Sequence, residues 1–210
     1  MKHIKTYEKE IYSINDETII IEGPVSQEYL AQFKFDEGLS AFRQPREQFE
    51  AIQEISTLEE GRIYIIHETE SIIGYVTYLY PDPLERWSTG QLPYLLELGA
   101  IEITLRYRGK GLGHELLKVS TRSPELEDYI IITTEYYWHW DLKNSGLDVF
   151  EYKKLMHRMM SSGGLEVFAT DDPEITSHPA NSLMARIGKN ITVEQMQAFD
   201  DIRFMNRFFF

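Results

Sequence analysis

The chain of 210 residues contains no cysteine. This excludes disulfide scaffolds, thiolate nucleophiles and cysteine metal sites, and it suits a reducing compartment. No apolar run approaches the ~20 residues that a membrane-spanning helix needs. Residues 1–8 lack the apolar segment of a secretion signal, so a cytoplasmic location is expected, with no membrane partner. Basic residues are in the minority: 21 lysines and arginines stand against 34 aspartates and glutamates, a formal charge of −13. Such a surface repels nucleic acid phosphates at long range and favours cationic partners, unless it serves only solubility. No repeat, low-complexity tract or Pro/Gly-rich linker divides the chain, and a single domain is expected over 1–210. The six histidines contain no H-x-x-x-H pair. No metal is expected, and each histidine is read as structural.

Local patterns predict a strand over 18–22 and helices over 26–35 and 45–58. In the second helix Phe49, Ile52 and Ile55 recur at helical spacing. Residues 62–67 and 72–80 are rich in β-branched and aromatic side chains and predict a hairpin closed by a polar turn at 68–71. A fourth strand, about 94–105, runs into a glycine-rich turn from which a helix continues over 112–120. The near-continuous apolar run at 129–134 marks a strand buried on both faces. Beyond it the pattern predicts a helix over 147–160, a short strand at 165–169 and a helix over 179–187. Thr192 and Gln195 form a capping box opening a last helix, about 192–207, whose apolar stripe extends toward Phe210.

The turn is Arg108-Gly109-Lys110-Gly111-Leu112-Gly113. A strand that enters such a turn and leaves as a helix presents unpaired N–H groups, and the helix dipole favours an anion there. The glycines admit a phosphate without Cβ obstruction, and Arg108 and Lys110 add positive charge. No segment matches the Walker loop G-x-x-x-x-G-K-[ST]. The dinucleotide fingerprint G-x-G-x-x-G fails at His114. A third phosphate pattern, Arg-x-x-Gly-x-Gly, is satisfied by Arg108, Gly111 and Gly113.

This last pattern resembles the pyrophosphate turn of the GNAT superfamily of N-acetyltransferases, and Tyr107, Leu112, Leu116 and Leu117 extend the likeness. The 63–80 hairpin resembles the strands that precede the family's CoA-binding strand, and residues 180–188 resemble its helix after strand five. The resemblance covers about 18–188. It implies an α/β (α+β) fold with a mixed, mostly antiparallel central sheet flanked by helices. An insertion after strand five, about 135–176, would then lead to a region without the family's usual C-terminal strand pair. It also implies acetyl-CoA as co-substrate, with Ile101, Ile103, Arg108, Gly109, Lys110, Gly111, Leu112, Gly113 and Ser177 as cofactor-binding residues. Segments 102–113 and 178–188 further resemble members of the family that acetylate protein lysines. These imply acetyl-CoA synthetase as the protein partner.

A lysine of pKa ~10.4 must lose a proton before it can attack a thioester. The resemblance implies a glutamate base on the fourth strand, where Glu97 and Glu102 lie. Five residues apart, they face opposite sides unless a bulge at Gly99 intervenes. Glu97 is favoured, because Glu102 lies near the expected cofactor path, and Glu135 is a third candidate. The family's acid-donating helix tyrosine falls on Met184, which cannot donate. Tyr136 and Tyr137 are alternatives, though the aromatic cluster 136–140 also suits packing. Three functions remain open: a protein-lysine acetyltransferase, a small-amine acetyltransferase, and a CoA-binding module without turnover.

Overall fold

The structure, a computed structural model, describes residues 1–14 and 16–205. The chain forms two compact units. The first combines Met1–Leu79 with Leu98–Glu125, and the second combines Tyr80–Glu97 with the chain from Leu126 onward.

In the first unit the strands β1 (Glu8–Ile14), β2 (Glu17–Gly23), β4 (Arg62–His67) and β5 (Ser71–Leu79) follow one another in antiparallel pairs, with β1 outermost. A two-residue strand, β3 (Lys34–Phe35), pairs parallel to β5. The strand β6 (Leu95–Ile103) contributes its residues from Leu98 onward to this unit. They run beside β5, where the Thr104 N–H donates to Ile73 O at 2.9 Å. Ile63, Ile65, Ile72 and Tyr75 form a core with Leu30 and Leu39. The helix α2 (Pro45–Thr57) adds Ile52, flanked by Phe49 and Ile55, at the spacing the sequence predicts. On α3 (Leu112–Thr121) Leu112, Leu116, Leu117 and Val119 are buried, and the helix packs against β1, β2, β4 and β5.

The predicted helix over 26–35 is instead a single turn, α1 (Gln27–Leu30), capped by Ser26, followed by β3. The strand β1 was not predicted. Its side chains are nowhere fully buried, so it carries no apolar alternation to be recognised.

One carboxylate ties this unit together. Glu22 is fully buried on β2 and accepts hydrogen bonds from the hydroxyls of Tyr29 and Tyr7. Lys9 Nζ and His67 Nε2 lie 3.0 Å from its oxygens. The His67 Nδ1 donates to Glu68 O at 2.6 Å, in keeping with its structural reading. Burial alone would raise the Glu22 pKa. The bonds from Tyr29, Tyr7 and Lys9 and the charge of His67 outweigh burial and hold it down at about 2.

In the second unit Leu95–Glu97 of β6 pair in parallel with Ile130–Ile132 of β7 (Ile130–Glu135). The other edge of β7 pairs antiparallel with β9 (Ser182–Ile187), and β9 with the outermost strand β8 (Glu166–Phe168). The helices are α4 (Leu142–Ser145), α5 (Val149–Ser162), α6 (Pro173–Thr176) and α7 (Val193–Arg203). Trp87, Leu95, Ile130, Ile132, Leu183, Phe199 and Ile202 share one core. The capping box of Thr192 and Gln195 opens α7. The last turn predicted to 207 and the stripe to Phe210 extend into 206–210, outside the described residues.

The predicted helix over 179–187 is overturned: these residues include β9. Leu183, Met184, Ala185 and Arg186 have good intrinsic helix propensity, but backbone pairing to β7 on one edge and β8 on the other decides the conformation. The C-terminal strand pair thought missing is therefore present as β8 and β9. The first helix of more than one turn after β7 is α5, within the segment 135–176. Among the described residues no helix is long and apolar enough to cross a membrane.

The Glu22 network yields a pH test. A pKa held at about 2 contributes stability that is complete above the ordinary carboxyl value and fades as pH falls from about 4.5 toward about 2. Glu22→Gln should lose on the order of 3 kcal/mol of unfolding free energy at pH ~7. Its stability should approach that of wild type near pH ~2, as followed by urea denaturation across that range.

Candidate functional site

The glycine-rich turn belongs wholly to the first unit. Gly109 and Gly111 have φ of +76° and +81°, the left-handed region that glycine enters without penalty. A Cβ built at either would meet nothing within 4 Å, so both face open space. Gly111 is the N-cap of α3 and supplies no capping side chain. The helices α1, α4, α5, α6 and α7 are capped by Ser26, Asp141, Asp148, Asp172 and Thr192. The uncapped α2 carries Pro45 at its start, which removes one donor. The first N–H groups of α3 therefore lack both kinds of relief, at the exposed glycine turn, and suit an anion.

The cations around the turn differ in what they hold. Arg106 bridges Asp36 at 3.0 Å and Glu68 at 2.9 Å. Arg108 is half-buried and donates from Nε to Ile103 O at 3.0 Å. The exposed Lys110 has no carboxylate partner among the described residues, and its ammonium lies 4.7 Å from the Tyr107 ring centroid. Upstream, Ile101 and Ile103 are half-buried on β6. Between them Glu102 is buried, accepting from the Tyr75 hydroxyl at 2.9 Å and from the Ala41 N–H at 2.8 Å. With these two donors Glu102 is an anchor of the fold. A Cβ added at Gly99 would lie 3.0 Å from Leu79 Cδ2, so that side chain would have to shift.

Glu97 and Glu135 belong to the second unit. Glu97 is half-buried near the end of the β6–β7 pairing. Desolvation, then the nearby carboxylates Glu85 and Asp82, push its pKa up to about 8. Glu85 is itself raised by burial and by Asp82, Glu174 and Asp172. Glu135 is buried at the end of β7 and accepts from the Trp140 indole N–H at 3.0 Å. Burial pushes it up to about 7, against the opposing effect of that bond. Both groups have the proton affinity of a base working near neutral pH. Neither Asp82 nor Glu85 stands out in the sequence as a site residue. Their proximity to Glu97 is a tertiary feature.

The aromatic cluster divides in two. Trp140 stacks on Tyr152 of α5 at 5.3 Å and serves packing. Tyr136 stacks on Trp138 at 4.8 Å, and Trp138 remains half exposed. Ser177 is exposed at the C-cap of α6, donating to Glu174 O at 2.6 Å. Its place among the cofactor-binding residues rested on the helix over 179–187 and loses that basis. Met184 likewise lies on β9, opposite Thr133 and Val167, so it is no helix position at all.

The sequence pattern of the acetyltransferase (GNAT) family matches residues 25–131. The acetoin utilization proteins AcuA of Bacillus licheniformis and Bacillus subtilis are each 55% identical over 210 residues, covering the whole of both chains. The crystal structure of an acetoin utilization protein from Exiguobacterium sibiricum superposes with a TM-score of 0.95 at 56% identity. The match covers 98% of this chain and 97% of that one.

The raised pKa of Glu97 has a stability consequence that needs no assay of activity. The folded state favours the protonated carboxyl, so its contribution is complete below pH about 4.5 and is lost as pH rises through about 8. Glu97→Gln, which cannot ionise, should therefore gain in melting temperature relative to wild type between those two values. Equal pH dependence in the two proteins would show that the carboxyl titrates normally.

Proposed function

The chain belongs to the acetyltransferase (GNAT) family and is an acyltransferase, and we propose that it transfers the acetyl group of acetyl-CoA to a lysine of a protein substrate, acetyl-CoA synthetase, in acetoin utilisation. The observation that carries the cofactor part is the uncapped start of α3 behind two left-handed glycines, with Lys110 beside it. The cofactor's pyrophosphate would accept from the first N–H groups of that helix, taking the place of a capping side chain. Acetyl-CoA supplies an acetyl group activated as a thioester.

The acceptor enters as a lysine ammonium. Glu97, assisted by the field of Asp82 and Glu85, takes its proton. The free amine would then form the new C–N bond as the C–S bond breaks; the nitrogen gives up its second proton to water, and the sulfur, leaving with the bonding pair, takes a proton from water, while the proton held by Glu97 returns to solvent. Glu135 is the alternative base, whereas Glu102 serves as an anchor through its two bonds. The carboxylates near Glu97 also favour a cationic acceptor over a neutral one. Half-exposed Trp138 and Phe150 offer apolar contact to a protein surface, which a small amine would not need. The reading as a binding module without turnover rested on Met184 in place of a helix tyrosine, and that placement has fallen. A cytoplasmic location accompanies the proposal.

Gly111→Glu, which sets a carboxylate at the mouth of α3, should abolish CoA binding in calorimetry while the protein stays folded. Wild-type affinity in that variant would end the assignment. Glu97→Gln should lower kcat about 10²-fold with CoA affinity nearly unchanged. The wild-type rate should climb with pH toward about 8, because the working form is the carboxylate. Mass mapping with intact acetyl-CoA synthetase should find an acetylated lysine. Equally efficient acetylation of free lysine would favour a small-amine substrate.

A further inference from the structure

The turn lies against a part of the chain that precedes the family match at residue 25. Tyr107, next to Arg108, is almost wholly buried, and its hydroxyl donates to the carboxylate of Glu17. Glu17 opens β2 and pairs with Ile14 at the mouth of the β1–β2 hairpin. The same hairpin holds α3 at two further points. The Tyr12 hydroxyl donates to Glu115 at 3.0 Å in the first turn of the helix. Arg122, just past its end, pairs with Glu8 at 2.6 Å and Glu10 at 2.5 Å on β1. The hairpin thus grips the helix along its length, and Glu17 is its contact with the residues that lead into the turn.

The Tyr107 ring carries two cations, the Arg106 guanidinium at 5.0 Å and the Lys110 ammonium at 4.7 Å. Arg106 is already compensated by Asp36 and Glu68, whereas Lys110, at the exposed turn, has no carboxylate partner among the described residues. A lysine on a solvent-exposed turn spreads its ammonium over many rotamers unless something selects one. The ring does so by cation–π attraction. A phenol that donates to a carboxylate has a more electron-rich ring, which strengthens that attraction. Burial, then the carboxylates of Glu17 and Glu68, keep the hydroxyl protonated, so the donated bond persists through the physiological range.

We propose that Glu17 is a positioning residue which, through the Tyr107 hydroxyl and ring, holds Lys110 at the glycine turn and makes the N-terminal hairpin part of the acetyl-CoA phosphate site. The inference rests on the reading of that turn as the phosphate site. It also reverses a simpler expectation: a negative charge near an anion site should repel the anion, so its removal should tighten binding. Positioning predicts the opposite sign.

The test measures CoA affinity by calorimetry, together with KM for acetyl-CoA and kcat, in Glu17→Ala, Tyr107→Phe, Lys110→Met and their combinations. Glu17→Ala and Tyr107→Phe should each weaken CoA binding and raise KM about three- to fivefold, with kcat changed less than about twofold. The double variant should be no weaker than either single one, since both break the same link. Lys110→Met should cost less in the Glu17→Ala background than in wild type. Glu17→Gln keeps an accepting oxygen and should retain most of the affinity, which a mere folding defect at this position would not predict. Unchanged or tighter binding in Glu17→Ala, or an equal cost of Lys110→Met in both backgrounds, would overturn the inference and leave the phosphate assignment standing. A wild-type protein that binds no CoA would overturn both.

Discussion

Helix α3 must begin at an exposed turn although no side chain stands ready to receive its first N–H groups, and the chemistry of the first unit follows from that constraint. The helix cannot drift away from this start, because its apolar face is buried against four strands and the Tyr78 hydroxyl meets Ser120 Oγ at 2.7 Å. Its start is equally fixed, since Gly109 and Gly111 supply backbone conformations that residues with a Cβ avoid. A rigid helix with an unsatisfied end is a standing source of positive potential. It operates in a protein whose overall charge is strongly negative. Net charge describes the far field and says little about a few ångströms around one turn.

The second unit contains the opposite chemistry. Glu97 and Glu135 are carboxyls whose surroundings disfavour ionisation, Glu97 through burial and neighbouring carboxylates and Glu135 through burial. The fold tolerates the cost because the strands that carry them are held by pairing: β7 is bonded on both edges, to β6 and to β9. Strained electrostatics of this kind is commonly found where a group must exchange a proton near neutrality. Glu102 shows the contrast. It lies on the same strand as Glu97, yet the Tyr75 hydroxyl and the Ala41 N–H both donate to its carboxylate.

Much of this was legible in the sequence where the signal is local. The glycine turn announces itself because positive φ and close approach demand glycine at particular positions. The Thr192–Gln195 box and the stripe of α2 are likewise written within a few residues of each other. Legibility failed where a partner distant in sequence decides. Residues 182–187 have helix-forming side chains and become a strand only because β7 and β8 border them. Strand β1 lacks an apolar face, so only its pairing with β2 reveals it. The raised pKa of Glu97 needs Asp82 and Glu85 brought close by the fold, and the contact of Tyr107 with Glu17 spans most of the first unit's sequence. Counting spacing cannot find any of these.

The outermost strands carry a consequence for behaviour at high concentration. Strand β8 is three residues long and offers little ladder for another chain to extend. Strand β1 is longer, but Glu8 and Glu10 on it are already held by Arg122. A second molecule adding a strand there would bring its own acidic surface against those glutamates, and like charges facing across a ladder oppose pairing. Both exposed sheet edges are thus poor templates for cross-β aggregation, a protection built from strand length and charge placement, with no cysteine or covalent bond involved.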